Sequence, residues 1–461
     1  MDSPTSSSLR TEEILKSPHL SRLVVSLAWP VVVSMGLQGL FSVVDLFWVG
    51  RLGPEAVAAV STAVFFSWSL IAVGEVFSIG VLALVSQHIG ANDPHAAARV
   101  SWQGFLWSTL AGFVVIGIIL WGATPLYKLI SPDPEVQGYG AVYLRILVLA
   151  SPAWFANLVF QDLFRGVGDM KTPLYVLGTA LVFNMILDPL IILGIGPFPA
   201  WGVAGAAWAS VLSQVLALIL FLAKKRKPVP FAENRRGLKP HPKLAWQMIK
   251  IGFPLASIAL VFSSVYLFMS RVAAEFGTTT LAALGLVNRI ESVAFLTIHG
   301  LGLATATLVG QNIGARQYQR AALFAKRANW IGTGVGLLAG ILCFVIPEQM
   351  MAIFTNDRDT IEEGARFLRI ISWCLIPQAW ELVLEGAFSG AGHTLPAMLI
   401  SVPLSVVRVP IAWLAAVVFG MGPAGIWWTI SITAAIRGSL MLWWWRRDSW
   451  QTGVDLDIAR T

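Results

Sequence analysis

Long apolar segments alternate with short polar connections along almost the whole chain. Twelve of these segments are each about long enough to cross a lipid bilayer as a tilted helix. Lipid offers no hydrogen-bond partner to unpaired backbone, and the segments lack the period-2 alternation of barrel strands, so they are predicted to be helices. Their approximate limits are 23–49, 56–84, 101–123, 137–160, 173–196, 201–223, 247–271, 280–308, 321–346, 364–388, 396–419 and 423–445.

The composition agrees with a protein whose main solvent is lipid. The chain has 461 residues, of which 56% are hydrophobic and 12% are charged, whereas about a quarter of an ordinary soluble domain is charged. Its mean hydropathy is +0.72. Soluble, disordered and nucleic-acid-binding classes are therefore excluded. The two cysteines, Cys343 and Cys374, lie in apolar segments without metal-ligand spacing and are expected to be packed thiols.

A basic linker at residues 224–246 divides the chain into two predicted six-helix bundles, 23–223 and 247–445. Residues 1–22 are expected to form a short, poorly ordered tail, and residues 446–461 form the other tail. When both tails and the linker are placed on one side, that side carries about two-thirds of the 32 Lys and Arg residues. Positive charge accumulates on the cytoplasmic side, so both termini are predicted to be cytoplasmic in a cell (inner or plasma) membrane.

The two halves are repeats of each other. A shift of about 224 residues aligns prolines, glycines and short motifs, and an even number of spans gives both halves the same orientation. The expected fold is an all-α integral membrane protein with twelve transmembrane helices, as two six-helix repeats related by a pseudo-two-fold axis along the membrane normal. This organisation is typical of secondary transporters. Aligned positions are Pro30 with Pro254, Gly53 with Gly277, Gln87–Ala91 with Gln311–Ala315, Gly166–Gly168 with Gly390–Gly392 and, at a slightly smaller shift, Pro189 with Pro410.

Two aspartates lie deep inside apolar segments of the first half. A charged group at the bilayer centre costs about 2.5–3.5 kcal/mol on insertion scales, so each aspartate requires a reason. Asp45 shares a helix face with Gln38, and Asp188 shares one with Asn184 beside the bend expected at Pro189. Two desolvated carboxylates in one site would bind a proton or a cation. The alternative is that each aspartate separately caps a helix end or faces a wet vestibule.

Four glutamates are further candidates for a site in the second half or for partners of the first. Glu75 is either a partner of the aspartate site or faces a water-filled cavity. Glu291 is expected to pair with another helix. Glu381 and Glu385 lie one turn apart on one helix face. Three roles are open for this pair: contact with substrate, lining of a solvent-filled space, or pairing with an arginine of the last two spans.

Several motifs of the chain resemble those of the multidrug and toxic compound extrusion (MATE) transporters. The resemblance covers nearly the whole chain and implies two six-helix bundles around a V-shaped cavity that opens alternately to each side. The similar segments are Val44–Gly53 followed by Ala58–Val60, Gln311–Ala315 with its first-half copy, Gly166–Asp169 before Pro173, and Gly390–His393 before Pro396.

Within that family, the polar residues of the first half are similar to those of DinF-like members. Such members carry Gln and Asp on span 1 and Asn and Asp on span 5, which match Gln38, Asp45, Asn184 and Asp188. A hydroxyl from span 6 often joins them, and Ser210 is the candidate. Acids of NorM-like members are missing at their expected places on spans 7 and 10. If sodium bound, Asp45, Asn184 and Asp188 would be its ligands.

The resemblance implies a transporter and not an enzyme. Its activity would be secondary active efflux by antiport, in which protons, in preference to sodium ions, enter while an organic, cationic and amphipathic compound leaves. The family needs no cofactor besides the coupling ion. The expected partners are small organic substrates and membrane lipid, with no nucleic acid, and the protein is expected to act as a monomer.

Two other functions stay open on the sequence. A lipid-linked oligosaccharide flippase of the same superfamily would line its cavity with several basic residues for a pyrophosphate, whereas the strongest polar cluster here is acidic. An intramembrane aspartyl protease could use Asp45 and Asp188 as a dyad. Such a dyad requires neither twelve spans nor an internal repeat, so the enzyme is the more remote alternative.

A cysteine introduced at Thr452 tests the predicted topology. A membrane-impermeant thiol reagent should leave it unlabelled in intact cells and should label it after permeabilisation, because the C-terminal tail is expected in the cytoplasm. The measurement is the mass shift of the purified protein. The unmodified chain, with Cys343 and Cys374 in apolar segments, provides the background. Ready labelling from outside would refute the topology.

Overall fold

Helices make up the regular structure of the residues that the computed structural model describes, which are 6–130, 132–196, 199–224, 229, 239–452 and 454–459. The helices of the first half are α1 Ser6–Lys16, α2 Leu20–Val49, α3 Pro54–Gly90, α4 Pro94–Ile130, α5 Pro134–Leu147, α6 Ser151–Gly166, α7 Lys171–Ile192 and α8 Gly202–Ala223. Those of the second half are α9 Pro242–Ala274, α10 Thr278–Gly314, α11 Tyr318–Val345, α12 Pro347–Ala352, α13 Arg358–Ile371, α14 Leu375–Ala391, α15 Leu395–Trp413 and α16 Pro423–Trp445.

The prediction of twelve transmembrane helices is confirmed. In the described part of the chain, ten continuous helical segments are long and apolar enough to cross a membrane, with α5 and α6 together forming one of them. The pair α13 and α14 forms an eleventh, bent by 62° between Ile371 and Leu375, inside the span predicted at 364–388. Helix α16, which is 23 residues long and buries Arg437, occupies the twelfth predicted span but is not among the segments that meet this length and apolarity test.

Proline and aspartate mark the starts of several helices. Proline suits the first turn because its missing N–H would have no partner there. Asp133 precedes α5 and accepts a hydrogen bond from the Glu135 amide at 2.8 Å. Asp357 caps α13 in the same way, accepting from the Thr360 amide at 3.0 Å. Hydrogen bonds from Thr360 lower the pKa of Asp357 below its usual value. Helices that begin with proline include α3 at Pro54, α4 at Pro94 and α5 at Pro134.

The backbone repeats at the offset that the sequence alignment predicts. A positive φ is rare outside glycine. Residues with a positive φ, most of them glycines, recur at corresponding positions in the two halves. These residues terminate or connect the same helices in each half, so the repeat extends to local conformation. The pairs are Gly53 and Gly277 (φ 119° and 99°), Asn92 and Arg316 (60° and 58°), Gly168 and Gly392 (87° and 71°), and Gly202 and Gly422 (54° and 62°).

The chain forms two compact units, and their boundaries differ from those of the predicted bundles 23–223 and 247–445. Unit 1 comprises the chain up to Thr11, Val33–Phe253, and the residues from Asp455 onward. Unit 2 comprises Glu12–Val32 and Pro254–Val454. Each long first helix of a half is therefore shared: α2 divides after Val32 and α9 divides after Phe253. Both divisions fall within two residues of the internal prolines Pro30 and Pro254.

Two of the predicted connections contain helix. The N-terminal tail, expected to be poorly ordered, includes α1 at Ser6–Lys16, and Ile14 of this helix is fully buried. Its carbonyl oxygen accepts a hydrogen bond from Arg320 Nη2 at 2.9 Å, within unit 2. Helix α9 begins at Pro242, inside the linker predicted at 224–246. Residues 225–228 and 230–238 of that linker lie outside the described residues.

Close packing in unit 2 depends on glycines between α10 and α14. A Cβ atom on Gly386 would collide with the carbonyl oxygen of Gly302, and one on Gly390 would collide with that of Ala306. Such contacts between backbones are the usual means of helix association in membranes, where apolar burial between helices contributes little. The two helices therefore cannot accept a side chain at these positions without moving apart.

Replacing Gly386 by Ala should destabilise unit 2. Alanine favours helix by about 1 kcal/mol over glycine, but overpacking against the Gly302 carbonyl costs about 1–3 kcal/mol. The matched control is Gly334→Ala in α11, where an added Cβ has nothing within 4 Å. The thermal midpoint in detergent should fall for Gly386→Ala and hold or rise for Gly334→Ala. Equal midpoints for the two variants would contradict the packing argument.

Candidate functional site

Helices α2 and α7 bury two carboxylates in unit 1. Asp188 is fully buried, Asn184 is 1% exposed and Asp45 is 9% exposed. Asn184 lies one turn before Asp188 on α7, so the two side chains share a face. Asp45 and Asp188 lie within electrostatic range of each other. The structure thus brings together the two aspartates and the asparagine that the sequence singles out.

In the described part of the chain, five of the six polar side-chain atoms of Asp45, Asn184 and Asp188 are buried without a hydrogen-bond partner. Among the described residues, no partner exists for Oδ1 of Asp45, for either carboxylate oxygen of Asp188, or for the amide oxygen and nitrogen of Asn184. Nearly all buried polar atoms in folded proteins are paired, and leaving one unpaired costs about 1–3 kcal/mol or more when it is charged. The arrangement therefore favours a proton or a cation on the carboxylates. We call Asp45, Asn184 and Asp188 the aspartate site.

Tyr143 on α5 belongs to this site, although sequence reasoning missed it. Its side chain is 6% exposed and lies within electrostatic range of Asp45 and Asp188. Its hydroxyl lies near that of Ser210 on α8, the hydroxyl residue expected from span 6. Tyr143 is one of only six tyrosines in the chain, and its position inside an apolar span was the available signal. Ser210 therefore lies beside Tyr143, and Tyr143 in turn lies within electrostatic range of the two aspartates.

Gln38 is placed differently from the other predicted residues of the aspartate site. It lies on α2 two turns before Asp45, as the spacing predicts, but its side chain is exposed whereas Asp45 is buried. The structure does not bring Gln38 into the buried cluster of Asp45, Asn184 and Asp188. Its inclusion in the site stays a prediction.

Glu75 lies in a separate charged cluster of unit 1. It is half-buried on α3, within electrostatic range of Asp162 and Arg165 on α6. Arg165 donates from Nη1 to Oδ1 of Asp162 at 2.9 Å, and both side chains are buried. The sequence placed Arg165 in a connection, whereas it occupies the last turn of α6. Glu75 therefore faces a buried ion pair that the span pattern did not reveal.

The glutamates of unit 2 are engaged by other helices. Gln378 donates from Nε2 to Oε1 of Glu291 at 2.7 Å. Glu381 is 3% exposed and forms an ion pair with Arg437 at 3.2 Å. Glu385 is half-buried within electrostatic range of Glu381 and Arg437. Of the alternatives for Glu381, pairing with an arginine is therefore the one that the structure contains.

The aspartate site fits a sodium ion in the type of its donor atoms. Carboxylate and amide oxygens are the ligands that hard cations prefer. Sodium would bind the unpartnered oxygens of Asp45, Asn184 and Asp188. Among the described residues, no group of three or more His, Cys, Asp or Glu side chains could hold a metal ion, so a transition-metal centre of that kind is not formed there.

Comparison with known proteins identifies the family. The MatE family model matches the chain twice, at residues 30–190 and 254–414, two segments of equal length that start 224 residues apart. The chain belongs to the MatE family. The double match confirms the repeat, and family members are membrane transporters and not enzymes. The DinF-like branch stays a prediction.

Relatives and solved structures agree along nearly the whole chain. A probable multidrug resistance protein NorM of Thermotoga maritima is 28% identical over 457 residues, covering 96% of each chain. A probable multidrug resistance protein YoeA of Bacillus subtilis is 30% identical over 430 residues, covering 90% of each. A MOP superfamily transporter from Pyrococcus furiosus, described as having a binding pocket of reverse polarity, is 21% identical with a TM-score of 0.88, covering 100% of both chains. A MATE structure in a bent conformation, also covering 100% of both chains, has a TM-score of 0.89.

Replacing Asp188 by Asn tests whether its carboxylate lacks a stabilising partner. Since a charge at the bilayer centre costs about 2.5–3.5 kcal/mol, the thermal midpoint of Asp188→Asn in detergent at pH 8 should equal or exceed that of the wild type. Asp359→Asn, at an exposed position, should leave the midpoint unchanged. A midpoint several degrees lower for Asp188→Asn alone would reveal a partner for this carboxylate and contradict the interpretation.

Proposed function

We propose that this protein is a secondary active multidrug efflux antiporter that exports organic, cationic and amphipathic compounds in exchange for protons. The observation that carries the proposal is the buried aspartate site, in which Oδ1 of Asp45 and both carboxylate oxygens of Asp188 have no hydrogen-bond partner among the described residues. A transporter needs a group whose charge changes when the coupling ion binds. Asp45 and Asp188 are such groups, and the family membership makes transport the activity they serve.

Proton binding changes the electrostatic free energy of the aspartate site, and this change couples the proton gradient to the conformation. Two carboxylates within range of each other repel, and each one is costly in a low-dielectric interior. A proton removes one charge and so lowers the free energy of the arrangement in which the site is closed from water. Substrate and proton then favour different conformations, and a gradient of one moves the other by a shift of populations.

Helix α7 contains a feature suited to such a rearrangement. Pro189 follows Asp188 directly and lies inside the helix. Because proline has no N–H, the carbonyl of Met185 loses its helical hydrogen bond, which permits bending at that point. A change of charge at Asp188 therefore acts where the helix is least constrained by its own backbone.

The substrate class follows from charge and from the names of relatives. A lipophilic cation is attracted by carboxylates and stacks on aromatic rings, and two relatives are described as probable multidrug resistance proteins. The distribution of Lys and Arg supports a cell-membrane protein with both termini in the cytoplasm.

The second candidate is a lipid-linked oligosaccharide flippase, and two buried arginines in unit 2 favour it. Arg408 is 2% exposed and Arg437 is 5% exposed. A pyrophosphate carries at least two charges and calls for several arginines or lysines. Since Arg437 is already paired with Glu381, only Arg408 remains for such a ligand. Drug efflux therefore fits the charges better.

Proteoliposomes that contain the purified protein test the coupling ion. They receive a proton gradient alone or, at fixed pH, a sodium gradient alone, and the movement of rhodamine 123 is followed by fluorescence. We expect uphill dye transport with the proton gradient, because protonation neutralises the aspartate site. Sustained transport with sodium alone, lost when potassium replaces sodium, would overturn the proton assignment and leave the site assignment intact.

Variants in the same assay test the site itself. The double variant Asp45→Asn, Asp188→Asn should lose gradient-driven transport while remaining folded, since asparagine keeps the shape and cannot be protonated. Asp359→Asn at its exposed position is the matched control and should transport at the wild-type rate. Wild-type transport by a well-expressed double variant would refute the assignment of the aspartate site.

A further inference from the structure

A histidine caps the N-terminus of helix α9. Pro242 occupies the first position of the helix, and Nδ1 of His241 accepts a hydrogen bond from the Leu244 amide at 3.2 Å. This is the bond that a capping side chain makes to the third residue of a helix, where asparagine, aspartate and serine are preferred. Histidine can accept it only while Nδ1 carries no proton. The cap of α9 therefore depends on the protonation state of one side chain.

Other helices of the chain begin with caps that do not depend on pH in this way. Asp93 accepts from the Ala96 amide at 3.0 Å at the start of α4, and the caps of α5 and α13 are also aspartates. The first-half counterpart of His241, 224 residues earlier, is Ser17, whose hydroxyl accepts from the His19 amide at 3.2 Å before α2. Carboxylates and hydroxyls keep an acceptor lone pair near neutral pH. The repeat therefore does not require a titratable group at this place.

Helix α4 holds the segment that carries His241. The side chain of Gln103 is 1% exposed, donates from Nε2 to the Lys239 carbonyl oxygen at 2.7 Å and accepts from the His241 amide at 2.9 Å. Trp107 donates to Oε1 of Gln103 at 3.1 Å, which fixes the orientation of this amide. The end of the linker is thus anchored within unit 1, while the half-buried imidazole stays accessible to protons from the solvent.

No acidic partner offsets a positive charge on His241. Among the described residues, no ion pair includes this histidine. Helix α3 packs on the start of α9 with neutral residues, and Asp455 of the C-terminal segment contacts α9 through its main-chain carbonyl oxygen. Asp457 lies in the turn that packs on α4. The charged residues on the segment itself and on α4 one turn before Gln103 are basic: Lys239, Lys243 and Arg99.

Protonation of His241 would reverse the interaction at the start of α9. A proton on Nδ1 would face the N–H of Leu244, so repulsion would replace the hydrogen bond. The positive charge would also lie at a helix N-terminus, where the macrodipole disfavours it. Histidine ordinarily changes its charge between about pH 5 and 8. The first turn of α9 is therefore held less firmly when the solution around it becomes acidic.

The start of α9 matters because this helix is shared between the two units. It belongs to unit 1 up to Phe253 and to unit 2 from Pro254. Within unit 1 it packs closely on α3, since a Cβ atom on Gly252 would collide with the carbonyl oxygen of Val76. A helix that is fixed at its start and bends at an internal proline transmits movement, whereas one with a loose first turn does so less effectively.

We propose that His241 is a pH-sensitive cap through which acid on its own side of the membrane slows transport. The effect on transport rests on the efflux function proposed above, whereas the change in the cap does not. In the predicted topology the linker is cytoplasmic, so the cap responds to the compartment that receives the coupling protons. Their accumulation there would limit further proton entry.

Hydrogen exchange of the purified protein in detergent tests the cap directly. Mass spectrometry gives the protection factor, which corrects for the pH dependence of free amides, for peptides that contain Leu244 and Ala245. Both amides bond to the carbonyl oxygen of His241 at 3.1 Å. Between about pH 7.5 and about pH 5.5 we expect protection to fall about fivefold in the wild type, because the cap is lost. In His241→Asn it should change less than about twofold, since asparagine caps without titrating.

Proteoliposomes test the effect on transport. A fixed pH gradient drives rhodamine 123, first with both sides near neutral pH and then with both sides shifted equally towards acid. The wild-type rate should fall several-fold more than that of His241→Asn. His241→Ser, which copies the first-half residue, should behave like His241→Asn and provides a second variant. His95→Asn is the matched control and should behave like the wild type, because it is exposed in the first turn of α4, which Asp93 caps.

The outcomes distinguish this inference from the proposed function. If protection falls equally in the wild type and in His241→Asn, or falls in neither, the pH-sensitive cap is refuted. If protection depends on His241 but both proteins have the same transport profile, the regulatory role is refuted. If no variant transports the dye while protection still depends on His241, the efflux proposal fails and the cap stands.

Discussion

Every polar group buried in a transmembrane helix needs a partner within the protein, because hydrocarbon supplies none. Unit 2 meets this requirement at Glu381 and Arg437, which pair at 3.2 Å while Ser401 and Ser405 add hydrogen bonds. In unit 1, polar atoms of Asp45, Asn184 and Asp188 are buried without such a partner among the described residues. Leaving these groups unpaired is thermodynamically unfavourable, and this is the reason why we propose that they bind the coupling ion.

The duplication separates the part of the protein that determines the fold from the part that determines its chemistry. Turn residues with positive φ recur at the same positions in both halves, since the connections between helices permit few backbone conformations. The buried charges do not recur. Helix α7 buries the carboxylate of Asp188, whereas α15 buries the guanidinium of Arg408 close to the corresponding position of the second half. Helix packing in these bundles rests on small residues and close backbone contacts, so a charged side chain can change without altering the helices that hold it.

Hydrogen bonding also distinguishes groups that hold the fold together from groups that are free to bind. Arg165 and Asp162 are paired at 2.9 Å within one helix, and Glu291 accepts from Gln378 at 2.7 Å. Such contacts keep neighbouring helices and turns in place. The carboxylate oxygens of Asp188 are as deeply buried but have no such contact among the described residues. Burial alone therefore does not identify a binding group, whereas burial combined with an open donor or acceptor does.

The amino-acid sequence by itself determined the twelve helices, the internal repeat and the placement of Asp45, Asn184 and Asp188 in the spans. These properties follow from local apolar length, from proline and glycine at helix ends, and from the cost of an isolated charge in lipid, all of which can be read along one chain. Tertiary structure decided the rest. Four features depend on which helices pack together. They are the proximity of Tyr143 to Ser210, the pairing of Glu381 with Arg437, the exposure of Gln38 and the division of α2 at Val32. Helical periodicity specifies the face of a side chain but not the neighbour that the face meets, because that neighbour is distant in sequence.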